Sequence, residues 1–327
     1  MPDVLTIGNA LVDVIAHAED GFLAAQGLVK GSMQLIDADR AVALYAAMGP
    51  AIETSGGSAA NTAVGVASLG GSAAFVGKIR DDQLGDVFRH DLRAVGVQFD
   101  VPPAPPTEPE PTGRSLIVVT ADAQRTMNTN LGVAAFVCSG DVDPDLVADT
   151  TVVYAEGYLW DSPPGREAIT ATMDLARDAG RLRSLTLSDM FCVDRHRDTF
   201  LALLDSRVDV LFANETEITA LYRVATFEEA IDRFRGRGRL GFLTCGPRGS
   251  VVVSDDEVVA VPAEPVEELV DTTGAGDMYA AGALYGLAGG LDLETCARLG
   301  SIAAAEVISH VGPRPQVSLR DLVAGVV

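Results

Sequence analysis

Asp271-Thr272-Thr273-Gly274-Ala275-Gly276-Asp277 runs directly into Met278-Tyr279-Ala280-Ala281-Gly282-Ala283-Leu284, a stretch with helical character. Two glycines two residues apart let the chain bend sharply and present unshielded N–H groups at a helix start. Such a terminus carries about half an elementary charge and several unpaired donors. That arrangement suits the charge spread over a phosphoryl group in transfer. Asp277 then stands beside the anion site, placed to take a proton from an attacking hydroxyl. A glycine turn with an acid complementing the helix dipole would be the plainer explanation for an isolated Gly-x-Gly-Asp. Seven residues in this order, on the background that surrounds them, are far more specific.

That background is an alternation of short apolar runs and longer helical patterns. Strands are predicted at Val4–Gly8, Ala73–Gly77, Ser115–Thr120, Thr151–Glu156, Ser184–Ser188, Val208–Ala213, Gly241–Thr244 and Ser250–Ser254. Helices are predicted at Ser58–Leu69, Gln83–Val95, Gly165–Ala179, Glu215–Tyr222, Gly274–Ala288 and Leu293–Ser309. The pattern predicts an α/β fold: a doubly wound, mostly parallel sheet flanked by helices, with ligands beyond the carboxyl ends of its strands. Residues 11–37 and 112–129 break the alternation and contain extended segments without a convincing helix. They are expected to pair as a small β-sheet lid, leaving residues 1–10, 38–111 and 130–327 as the main α/β core. The proline-rich stretch Val101–Pro111 reads as a stiff connector into the lid.

Three further stretches could carry chemistry. Ser55-Gly56-Gly57-Ser58-Ala59-Ala60-Asn61 precedes a helix. Its glycines permit close approach of backbone to a ligand, or equally tight helix–strand packing. Asn61 offers an amide to a hydroxyl. Asn214-Glu215-Thr216-Glu217 follows a strand; Glu217 could hold a hydrated Mg2+, but by spacing alone an Asn214 cap with Glu217 three residues on is the better account. Thr244-Cys245-Gly246-Pro247-Arg248-Gly249 is a strand-ending turn. Gly77-Lys78 is followed by Ile79, so no P-loop is present, and no Gly-x-Gly-x-x-Gly follows the first strand.

Composition narrows the partners. With 24 basic and 46 acidic residues the net charge is −22, which argues against nucleic acid or an anionic membrane as a general partner. The four cysteines are scattered without a Cys-x-x-Cys pair and the four histidines lack metal-ligand spacing. No basic start leads into a long apolar run, and no uncharged stretch is long enough to span a bilayer. A cytoplasmic protein acting on a small molecule is the expectation.

Taken together these stretches resemble the PfkB, or ribokinase-like, family of carbohydrate and nucleoside kinases. The hallmark regions look like Gly56-Gly57…Asn61…Gly70-Gly71 and Asp271–Asp277, and the order of motifs matches over essentially the whole chain. The resemblance implies ATP and Mg2+, with Asp277 as base and Gly274, Ala275 and Gly276 as anion hole. It implies Asn214 and Glu217 at the Mg–phosphate region, Glu217 acting through water, and Thr244, Gly246 and Gly249 along the nucleotide. Asn9, Asp13, Gly57, Ser58 and Asn61 would serve the acceptor. Some members use a monovalent cation near the position of Asp271, which makes Asp271 a candidate for K+.

Within the family, Gly8-Asn9-Ala10-Leu11-Val12-Asp13 and Gly56-Gly57-Ser58 look closest to the adenosine kinase branch, and Arg125 resembles that branch's lid arginine. Leu11 and Ser58 stand where ribokinases usually have asparagine and lysine. Met33 and Thr273 depart from the animal adenosine kinases, whose purine-facing glutamine and loop asparagine they replace. The implied reaction is phosphorylation of a primary hydroxyl of a nucleoside, adenosine first; the alternative is a sugar such as ribose or fructose. Exposed lid strands would allow a homodimer.

Overall fold

The computed structural model describes residues 2–122 and 124–326. Eight strands form the main sheet, in the order Val258–Val261, Ser250–Val253, Leu240–Thr244, Val210–Asn214, Leu182–Thr186, Val152–Glu156, Val4–Ile7, Ala73–Val76. Six run parallel and the first two join antiparallel at one edge. Alternation along each strand feeds two cores. Val4 and Tyr154 face one side with Phe212 and Phe242, while Leu5, Ile7, Val153 and Leu211 face the other. Among the described residues no helix is long and apolar enough to cross a membrane.

The second sheet has the order Met33–Leu35, Arg125–Asn130, Gly113–Val119, Leu11–His17, Ala51–Gly56. Its membership corrects the sequence expectation in two ways. Ala51–Gly56, placed in the core by that reading, is an edge strand here, pairing antiparallel with Leu11–His17. The helices Asp20–Gln26 and Ala38–Ala47 also belong with this layer. Their Leu23, Ala41 and Leu44 cover the side of the sheet bearing Val12, Val14, Leu116 and Val118. The opposite side faces the main domain.

Small residues decide where the site lies. On the helix Ser58–Ser68, Ser58, Asn61, Thr62 and Gly65 form one stripe at helical spacing. A Cβ on Gly65 would sit 2.5 Å from the Cβ of Ala281, so only glycine lets this helix lie so close to Ala275–Ala288. That contact carries the polar end of the stripe onto Asp277.

Candidate active site

Gly274 caps the helix Ala275–Ala288 at φ 79°, a left-handed conformation that glycine adopts without penalty. A Cβ there would lie 2.7 Å from Cα of Pro313, whereas one on Gly276 would meet nothing within 4 Å. Thr272, Thr273, Gly274, Gly276 and Asp277 line a cavity of about 660 Å3 between the two sheets, a volume typical of small-molecule sites.

Both oxygens of Asp277 accept a hydrogen bond: Oδ1 from Ser58 Oγ at 2.7 Å and Oδ2 from Asn61 Nδ2 at 2.9 Å. Thr62 Oγ1 donates to its backbone carbonyl at 3.3 Å. Burial pushes the Asp277 carboxyl above its ordinary range, while the bonds from Ser58 and Asn61 and the charge of Arg314 pull it back. The outcome is a carboxylate fixed in orientation and more basic than an exposed one, the condition a general base needs.

Behind it, Glu156 ends its strand fully buried. Oε1 accepts from Asn9 N and Asn9 Nδ2, both at 2.7 Å, and Oε2 accepts from Ala59 N at 2.8 Å. It thereby ties the end of the first strand to the start of the helix Ser58–Ser68. Opposite, Asp13 is buried on the lid face of the cavity and pushed up to about 7, chiefly by desolvation. Ser188, another lining residue, is held at φ 72°, a costly conformation for a non-glycine residue. At the mouth Arg195 donates two bonds to Asp161, at 3.0 and 2.7 Å.

The lid face is graded by its register. One row reads Asp13, Ser115, Thr129, Leu35 across the sheet; the next reads Ile117, Met127, Met33. All seven line the cavity, and the Ser115 and Thr129 hydroxyls pair at 3.0 Å. Arg125, two residues from Met127, donates to Asp271 Oδ2, which also accepts Gly312 N–H at 2.8 Å. Asp271 Oδ1 accepts Thr273 N–H at 3.0 Å. The lid is thus pinned to the glycine turn.

Residues 45–319 match the family described as pfkB family carbohydrate kinase. The chain belongs to that family. It is a phosphotransferase with an alcohol as acceptor, and ATP is the substrate of these kinases. Adenosine kinase of Sinorhizobium meliloti is 50% identical, with TM-score 0.93 and coverage of 100% of this chain and 99% of that one. The "probable sugar kinase protein" of Rhizobium etli CFN 42 is 48% identical, with TM-score 0.94 and the same coverage. Adenosine kinase of Saccharomyces cerevisiae is 27% identical over 95% of this chain and 96% of its own.

In this pfkB kinase the expected site residues do not all line the cavity. Asn61 is not at the cavity wall: its Nδ2 serves Asp277 and its Oδ1 accepts Arg314 Nε at 2.8 Å. The Gly56–Gly57 pair makes room for neighbouring protein groups. A Cβ on Gly56 would strike the Asp13 carboxylate and one on Gly57 the Asn9 carbonyl, each at 2.3 Å, although Gly57 does line the cavity. Thr244 borders a small hollow adjoining the cavity, beside Gly276 and Asp277. Gly246 and Gly249 lie outside both, in the turn to the next strand, where a Cβ on Gly249 would meet Val261 O at 2.1 Å. Asn214 and Glu217 form the capping box: Glu217 N–H donates to Asn214 Oδ1 at 2.8 Å, and Asn214 N–H and Nδ2 donate to Glu217 at 3.0 and 2.6 Å.

Sequence reasoning missed Glu156, Arg314 and, in the apolar row of the lid, Ile117 and Met127 beside Met33. The signal for Glu156 was present, a lone charge ending an apolar strand where such sheets hold ligands. Arg314 stands between prolines in an irregular tail, with no periodicity to mark it.

Folding pushes three buried carboxyls, Asp13, Glu156 and Glu217, up to about 7, each mainly through desolvation. An acid whose folded value is raised favours the native state below its unfolded value and loses that contribution as pH rises through the folded one. The ligand-free protein is therefore expected to melt at a higher temperature at pH 5.5 than at pH 8. Calorimetry showing the midpoint rise over this interval would contradict the assignment.

Proposed function

We propose that the chain transfers the γ-phosphoryl group of ATP to a primary hydroxyl of a nucleoside, with adenosine as the first candidate. The observation that carries this is the graded lid face. Asp13, Ser115 and Thr129 offer hydrogen bonds at one end, and Met33, Met127, Ile117 and Leu35 offer apolar surface at the other. A nucleoside has this division, a ribose bearing hydroxyls and a flat base with apolar faces. A free sugar would turn hydroxyls against the methionines and lose hydration without replacement bonds.

In this reading Asp277 takes the proton of the attacking hydroxyl, and the N–H groups at Gly274, Ala275 and Gly276 receive the charge on the transferring group. Asn9, Asp13, Gly57 and Ser58 surround the ribose end, Arg125 lies at the lid's phosphate side, and the closed lid excludes water. Glu217 suits Mg2+ held through water. It lines the cavity, is buried with the like charge of Asp189 nearby, and its carboxylate accepts hydrogen bonds from the neutral Asn214. Mg2+ would neutralise charge on the ATP phosphates. Asp271 does not suit K+, since Arg125 already balances its carboxylate and two main-chain N–H groups occupy its oxygens.

A sugar acceptor is the second reading, favoured by the likeness to the Rhizobium etli protein. A coupled ADP-release assay with nucleoside and sugar panels separates them. Saturation by nucleosides is expected, and Met127→Ala should raise the acceptor KM about tenfold, roughly 1.5 kcal/mol of apolar contact, with the ATP KM unchanged. Saturation by sugars and none by nucleosides would overturn the first reading.

A further inference from the structure

The segment Gly312-Pro313-Arg314 packs beside the glycine turn, its first two residues against the turn itself and the third against Asn61. Gly312 N–H donates to Asp271, Pro313 lies against Gly274, and Arg314 Nε donates to Asn61, whose amide in turn donates to Asp277. Arg314 Nη2 is enclosed and has no hydrogen-bond partner among the described residues. A guanidinium kept in such a place with Nε as its bonded nitrogen and Nη2 unused is held by charge more than by local bonds. The charges around it are carboxylates: Asp13 from the lid, Asp91 from the helix Gln83–Ala94, and Asp277.

Two of these, Asp13 and Asp277, repel one another across the acceptor end of the cavity. Other titratable groups facing Asp277 are Glu156 and Tyr154 from the strand Val152–Glu156 and Tyr158 beyond it. None of them brings positive charge. Arg125 faces Asp13 but is bonded to Asp271. Arg314 is the cation acting on both Asp13 and Asp277.

Resting on the phosphoryl-transfer reading, we propose that Arg314 is a positioning residue for the base, orienting Asp277 through Asn61 and keeping it ionised beside Asp13. Two buried carboxylates close together cannot both stay charged without such a partner. Like charge raises the affinity of one for a proton, and a protonated Asp277 cannot accept another.

The experiment is the pH profile of kcat for wild type, Arg314→Met, Arg314→Gln and Arg314→Lys with saturating ATP and acceptor. Activity falls at low pH as Asp277 protonates, so removing the cation should move the acid limb upward. A shift of about one pH unit is expected for Arg314→Met, a tenfold loss below the limb, with the ATP KM unchanged. Arg314→Gln keeps an amide able to reach Asn61 and should fold even if the methionine variant does not; it should show the same shift. Arg314→Lys should restore the wild-type limb. A neutral variant with a lowered melting temperature and an unmoved limb would make Arg314 merely structural and overturn the inference. A wild-type protein without kinase activity towards any acceptor would instead overturn the reading beneath it.

Discussion

Replacing Asp277 by asparagine is expected to lower kcat by about 100- to 10,000-fold, the usual worth of a positioned general base, with ATP binding retained. The site allows this substitution without disturbing the fold. An asparagine oxygen can accept from Asn61 Nδ2, as Asp277 Oδ2 does now, while its amide donates to the Ser58 hydroxyl, which rotates to accept. Removing a desolvated carboxylate should leave the melting temperature at or above that of wild type, since burial disfavours the charged form. The measurement pairs single-turnover kinetics with calorimetric titration of ATP. A folded Asp277→Asn protein turning over within a few-fold of wild type would remove Asp277 from the chemistry.

How far the sequence carried this result differs from element to element. The helix Glu215–Tyr222 and the turn at Gly274 were legible because capping residues and paired glycines act locally. The helix Met190–Arg207 was not. Its buried residues Cys192, Val193, Phe200, Leu203 and Leu204 follow helical spacing, but His196 stands at the core-facing place between them. His196 packs edge-on against Phe200 and meets Asp161 at 2.6 Å, so a polar residue fills an apolar position and hides the period. The edge strands Ala51–Gly56 and Val258–Val261 escaped for a related reason, each having one partner strand and exposed residues that blur the alternation. In the site, Asp277 and its glycines were readable from spacing. The roles of Asn61 and Glu156 were not, because they depend on partners 216 and 147 residues away.

The two glycines of the turn separate stability from chemistry. Gly274→Ala places a side chain at φ 79° and 2.7 Å from Pro313, so strain of about 1–3 kcal/mol and a displaced loop are expected together. Lower stability and lower activity in that variant would fit any structural role. Gly276→Ala is the discriminating change. It lies within the helix Ala275–Ala288, where alanine is favoured over glycine by about 0.5–1 kcal/mol, and its Cβ meets no protein atom within 4 Å. The melting temperature should therefore hold or rise. The new methyl nevertheless enters the space beside Asp277 that the anion-hole assignment reserves for the phosphoryl group. A fall in kcat of about 100-fold or more is expected, on the scale of losing one oxyanion donor. The conjunction matters, because a site that seats an anion against this turn accounts for a stabilising substitution that lowers turnover. Gly276→Ala with unaltered kcat would show that the phosphate does not lie against this turn, and would detach Asp277 from its role with it.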